Sequence, residues 1–139
     1  MIPDKQFKAL LHNCSKYEPH LNGQEIESGY KPDFVLKFNS DFLILESENT
    51  SSRKTFVGGM MKAAHYLQGE RTGKLVFVMV PKYNTTAMQI ANHLKLYLKW
   101  IGGKTNLRDV YVIEADQYYS NESVIELLGL DFASVALKV

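Results

Sequence analysis

The chain has 139 residues, 45% of them hydrophobic and 22% charged, with a formal net charge of +1. That length and composition predict one globular domain over 1–139 with a core of its own, and they exclude low-complexity and disulfide-stapled classes, since the one cysteine, Cys14, has no intrachain partner and can form no cysteine-rich zinc site. No stretch approaches the length of a membrane span and the N-terminus lacks a signal peptide's apolar core, so a cytoplasmic (intracellular) protein without membrane association is expected.

Taken in order, residues 4–21 read as a first helix, with Phe7, Leu10, Leu11, Cys14, Tyr17 and Leu21 at helical spacing. Residues 22–31 are a loop or short edge strand broken by Gly23 and Gly29. Two apolar strands follow within 33–48, joined by a tight turn at Asn39-Ser40. A polar break, Asn49 to Ser52, precedes a helix over 52–68 with Phe56, Met60, Ala63, Ala64 and Leu67 on its apolar face. Gly58-Gly59 inside it costs about 1 kcal/mol per glycine relative to alanine, which points to close packing unless the helix begins only at Gly59.

Lys74 to Val80 is a continuous apolar run, the mark of a strand buried on both faces. A helix over 85–101, ended by Gly102-Gly103, and a strand over 108–115 complete a βαβ unit. Tyr97 and Trp100 read as core. A short helix near 121–128 ends at Gly129, and the tail packs. The element order is αβββαβαβ or αββαβαβ, an α/β class with a mixed central sheet flanked by helices.

The chemistry concentrates between residues 32 and 66. The four histidines show no close metal-ligand spacing, and no Gly-rich phosphate loop, serine elbow or Cys-His pair occurs. Asp33, Glu46 and Glu48, however, sit on otherwise apolar strands, where a charge costs free energy unless something compensates it. Glu46 and Glu48 share a strand face. A turn at Asn39-Ser40 places Asp33 directly opposite Glu46, with β-carbons about 5 Å apart. Like charges that close repel, and a bound divalent cation with hard oxygen ligands removes the conflict.

Pro32-Asp33 followed by Glu46-Ser47-Glu48 at the end of the next strand resembles the PD-(D/E)XK nuclease superfamily, with Glu48 standing where the family commonly has lysine. Lys62-Ala63-Ala64-His65-Tyr66 resembles the Gln-xxx-Tyr element of that family's next helix, with Lys62 in place of glutamine. The resemblance spans about residues 5–115 and implies a restriction-endonuclease-like core. It implies a metal-dependent nuclease that hydrolyses phosphodiester bonds of nucleic acid, DNA being the expected substrate. Asp33, Glu46 and the Ser47 carbonyl would ligate Mg²⁺ (or Mn²⁺), Glu48 would orient or deprotonate the attacking water, and Lys62 would supply positive charge. The alternative is a catalytically degenerate module of the same fold that binds nucleic acid or a protein partner, which Glu48 in place of lysine favours.

Bulk charge does not announce a nucleic-acid partner, but local runs exist: Arg53 and Lys54 just past the carboxylates, and Lys95, Lys99, Lys104 and Arg108 further on. If nucleic acid binds, these are expected to flank the carboxylates. The assembly is open between a monomer and a homodimer.

Overall fold

The computed structural model describes residues 1–139. Helix α1 (Asp4–Ala9) leads to strand β1 (Glu18–Leu21) and then to β2 (Phe34–Phe38) and β3 (Asp41–Glu48). Next come α2 (Arg53–Tyr66), β4 (Thr72–Met79), α3 (Ala87–Ile101) and β5 (Leu107–Glu114). The C-terminal part holds α4 (Ala115–Tyr118), the strands β6 (Tyr119–Ser120) and β7 (Ser123–Val124), α5 (Leu130–Val135) and β8 (Leu137–Lys138). The first eight elements run αβββαβαβ, the longer of the two expected orders.

One mixed sheet of six strands, in the order β1-β2-β3-β4-β5-β8, organises the fold. β3, β4 and β5 are parallel, while β1, β2 and β3 pair antiparallel and β8 closes the other edge antiparallel to β5. β4 lies between parallel neighbours with both faces covered, which is why its sequence is apolar without alternation. Leu75, Phe77 and Met79 pack beneath α2 and α3, while Val76 and Val78 pack with Phe7, Tyr118 and Phe132 on the opposite face. Thr86 and Gln89 form a capping box that starts α3. No helix is long and apolar enough to cross a membrane.

Three expectations are corrected. The helix expected over 4–21 is limited to Asp4–Ala9, and Pro19 stands in β1 instead. Phe7, Leu10, Cys14 and Tyr17 do share one core, but Leu11 is exposed and the chain turns at Lys16, whose φ is 75°. The chain leaves the helix at Leu10, whose backbone is already extended at φ −67° and ψ 154°, and Pro19 would in any case have disturbed the last turn of a longer helix. The helix near 121–128 is replaced by the β6–β7 hairpin, whose turn residues Asn121 and Glu122 both have positive φ, as a two-residue hairpin turn favours. Gly129 precedes α5 rather than ending a helix. Finally, Trp100 is 71% exposed and Tyr97 is exposed too, so neither belongs to the core.

Candidate active site

The turn between β2 and β3 is the two residues Asn39-Ser40, and one register runs from Phe34–Leu45 to Phe38–Asp41. Continued by one residue, it sets Asp33 opposite Glu46. Asp33 shares a face with Val35, and Glu46 with Ile44; both apolar residues pack in the core beneath α2 and α3. Asp33 and Glu46 therefore stand on the same face of the sheet.

A further step along the register sets Pro32 opposite Ser47, and here the ladder stops. The Glu48 carbonyl accepts from the Val80 N–H of the chain following β4, at 3.3 Å, so alternate residues of β3, Ser47 among them, turn their backbone groups toward β2. Pro32 has no N–H to give to the Ser47 carbonyl. The Asp33 carboxylate accepts the Ser47 N–H instead, Oδ2 at 2.7 Å, while the Asp33 N–H donates to Glu46 Oε1 at 3.0 Å. Proline followed by aspartate thus turns a hairpin's end into an edge that carries carboxylates.

Glu46 and Glu48 open into a cleft of about 250 Å³, also lined by Tyr30, Lys31, Thr55 and Lys62 and bordered by Gly58 and Gly59 of α2. Gly59 lets the helix sit close: a β-carbon there would meet the Phe77 ring at 3.2 Å and Glu46 Oε2 at 3.7 Å. Gly58 would meet nothing within 4 Å. Helix α2 is continuous through both, so the close packing expected of the glycine pair holds for Gly59 alone. Lys62 follows on the next turn, and its Nζ donates to the Gly29 carbonyl at 3.2 Å.

The carboxylates are poorly compensated. Burial, and next the Asp33 charge, push the Glu46 carboxyl up to about 8, against smaller opposing effects of the Asp33 N–H and the Lys62 charge. Glu48 is pushed up to about 7, by burial first and then by Asp33 and Asp4. Burial raises Asp33 as well, while the Ser47 N–H and Lys8, whose Nζ lies 3.9 Å from Oδ1, pull it down. The three repel one another without converging: no group of three or more Asp, Glu, His or Cys side chains stands close enough to hold an ion as it is.

Of the basic residues singled out in the sequence, Arg53 and Lys54 begin α2 just past the end of β3 and so stand at the carboxylate end of the sheet. The later run does not flank the site. Arg108 is ion-paired to Asp41 at the start of β3, about 23 Å from Glu48 at about 3.3 Å per residue. Lys104 lies over the exposed Trp100 ring, and Lys99 is in the last turn of α3, at that same far end. Lys95 is exposed midway along α3. The expected clustering fails because α3 returns the chain from the carboxylate end of the sheet to the opposite one.

Sequence reasoning missed Lys8, Lys31 and Tyr30. Lys31 and Tyr30 immediately precede Pro32-Asp33, and that adjacency was the available signal; nothing in the sequence pointed to Lys8. Tyr30 is 3% exposed, and its hydroxyl is the one buried side-chain polar atom without a hydrogen-bond partner. Leaving such a group unsatisfied costs about 1–3 kcal/mol. The oxygen donors of the cleft, the Glu46 and Glu48 carboxylates and the buried Tyr30 hydroxyl, together with the Asp33 carboxylate and the Ser47 carbonyl at the adjoining strand edge, are of the kind that a hard divalent cation takes.

No family model matches the chain, and comparison with curated proteins and with solved structures returns no match.

Proposed function

We propose that the chain is a metal-dependent nuclease with a restriction-endonuclease-like core, hydrolysing phosphodiester bonds of nucleic acid, DNA first among the substrates to test. The observation that carries this reading is the β2–β3 register, which brings Asp33 against Glu46 on the face where Glu48 and Lys62 also open. Asp33, Glu46 and the Ser47 carbonyl would hold Mg²⁺ or Mn²⁺. Such a cation, when bound, polarises the phosphate and neutralises charge on the leaving oxygen.

The remaining work falls to the chain's own groups. Glu48, pushed up to about 7, has the proton affinity of a general base near neutral pH and would take the proton of the attacking water. Lys62 lines the same cleft, and its ammonium, released from the Gly29 carbonyl, would stabilise the anionic phosphate. Lys31, Arg53 and Lys54 would hold the flanking backbone, whereas Lys95 and Lys99 would meet nucleic acid only beyond the cleft.

A degenerate binding module is the second reading. It is favoured by Asp33, whose oxygens already engage the Ser47 N–H and lie near Lys8. Plasmid nicking across Mg²⁺, Mn²⁺ and Ca²⁺ decides between them. The nuclease reading expects metal-dependent cleavage that Asp33→Asn and Glu46→Gln abolish while the circular dichroism spectrum is unchanged. Absence of cleavage of duplex, single-stranded and branched DNA and of RNA by the wild type leaves the binding module.

A further inference from the structure

Residues 22–31 have no regular secondary structure, yet Tyr30 is held firmly. Ile26 and Tyr30 close a turn through Ile26 N–H to the Tyr30 carbonyl at 3.0 Å and Tyr30 N–H to the Glu27 carbonyl at 2.9 Å. Gly29, at φ 80°, supplies the left-handed residue that this turn needs. Two ties strap the turn onto α2: Lys62 Nζ to the Gly29 carbonyl at 3.2 Å, and His65 Nδ1 to Glu27 Oε2 at 2.8 Å. The ring then packs in the core with Phe77 and Met60.

Everything about Tyr30 is accounted for except its hydroxyl. A phenylalanine would fill the same space, and a buried phenol ordinarily finds a hydrogen-bond partner. This one finds none, although Tyr30 is among the residues lining the cleft that Glu46 and Glu48 also line. A polar group kept unpartnered in a cleft that two carboxylates line has a use once something occupies that cleft.

Resting on the proposed metal-dependent reading, we infer that Tyr30 is a positioning residue of the same site: its hydroxyl donates to an oxygen of the Glu46 carboxylate once a divalent cation draws Asp33, Glu46 and Glu48 together. Ligating carboxylates are commonly fixed by such outer hydrogen bonds, whose loss weakens metal affinity about 10–100-fold. The hydroxyl acts only in the loaded state. In the metal-free protein it contributes nothing to the fold, which separates this role from that of an ordinary buried tyrosine.

The experiment is titration of the full chain with Mn²⁺, followed by electron paramagnetic resonance, alongside thermal denaturation without metal. Wild type, Tyr30→Phe and Asp33→Asn are compared. Tyr30→Phe is expected to bind Mn²⁺ at least about tenfold more weakly than wild type, with a metal-free Tm equal to or above the wild-type value. An affinity within about twofold of wild type overturns the inference and leaves the metal site standing. A lowered metal-free Tm, or failure to fold, overturns it too, since the hydroxyl would then be supporting the empty protein. If the folded wild type binds no Mn²⁺, or Asp33→Asn binds as well as wild type, the underlying metal reading falls and the role of Tyr30 falls with it.

Discussion

Glu46 and Glu48 stand two residues apart on one strand face, but their surroundings differ in ways that can be measured one side chain at a time. Burial dominates both, and the charge that matters next to each is that of Asp33, not that of the other glutamate. Asp33→Asn should therefore lower the Glu46 titration midpoint from about 8 by more than Glu48→Gln does, and in neither variant should it return to the ordinary 4.5, because the burial remains. Removing Lys62 has the opposite sign: Lys62→Met should raise the Glu46 midpoint further, since its ammonium favours the ionised form. Carbon-13 NMR of the carboxyl groups reads each midpoint directly. A larger shift from Glu48→Gln than from Asp33→Asn would contradict the register that sets Asp33 opposite Glu46.

Among the elements, α2 carries the clearest test, because its adjacent glycines serve different ends. Gly58 is exposed with open space around it, so Gly58→Ala should stabilise the helix by about 1 kcal/mol and raise Tm by about 4 °C. The new methyl stands at the border of the cleft, so if the proposed nuclease reading holds, cleavage of a bulky substrate should fall as well. Gly59→Ala would press on the fully buried Phe77 ring at 3.2 Å, and its Tm should stay at or below wild type. Thermal scans of the two variants check both, and equal gains would show that close packing plays no part at Gly59. The glycine pair, the apolar run of β4 and the two-residue turn at Asn39-Ser40 were all legible in the sequence because each is a local pattern with a local cause. The carboxylate edge was legible for the same reason, since the turn length alone fixes the register. The spacing over 4–21 misleads because Phe7, Cys14 and Tyr17 reach one core by a route that only resembles a helix: the chain extends at Leu10 and turns at Lys16, well before Pro19. Tyr30 was invisible because two long-range ties, Lys62 to Gly29 and His65 to Glu27, set its place rather than any periodicity. The run from Lys95 to Arg108 misled because contiguity in sequence says nothing about which end of the sheet a crossover helix reaches.

For the whole molecule, the buried ionisable groups set opposing slopes of stability against pH. His12 is buried between the Phe7 carbonyl, 2.6 Å from Nε2, and the Tyr118 hydroxyl, 2.5 Å from Nδ1, and burial lowers it from 6.5 to about 4. The unfolded chain takes up this proton first on acidification, so the His12 contribution, about 3 kcal/mol, is full above pH 6.5 and is lost as pH falls toward 4. Glu46 and Glu48 act in the other direction. Both are raised from 4.5, to about 8 and about 7, so their contribution is full below 4.5 and is lost as pH rises through the folded values. Above 6.5 the His12 slope has ended and, of these groups, only the two glutamates still titrate. The metal-free protein should thus lose Tm between pH 6.5 and about 8.5. If the cleft holds a divalent cation, saturating Mg²⁺ should raise Tm more at about pH 8 than at about pH 6, because the ligands must be deprotonated to bind. Glu46→Gln should flatten the metal-free slope and remove the Mg²⁺ effect at both pH values. Differential scanning calorimetry of wild type and variant, with and without Mg²⁺, measures all of these. A metal-free Tm that rises through this range would mean that the empty acid cluster is not strained, and a Mg²⁺ gain that does not depend on pH would mean that the cation binds away from these carboxylates.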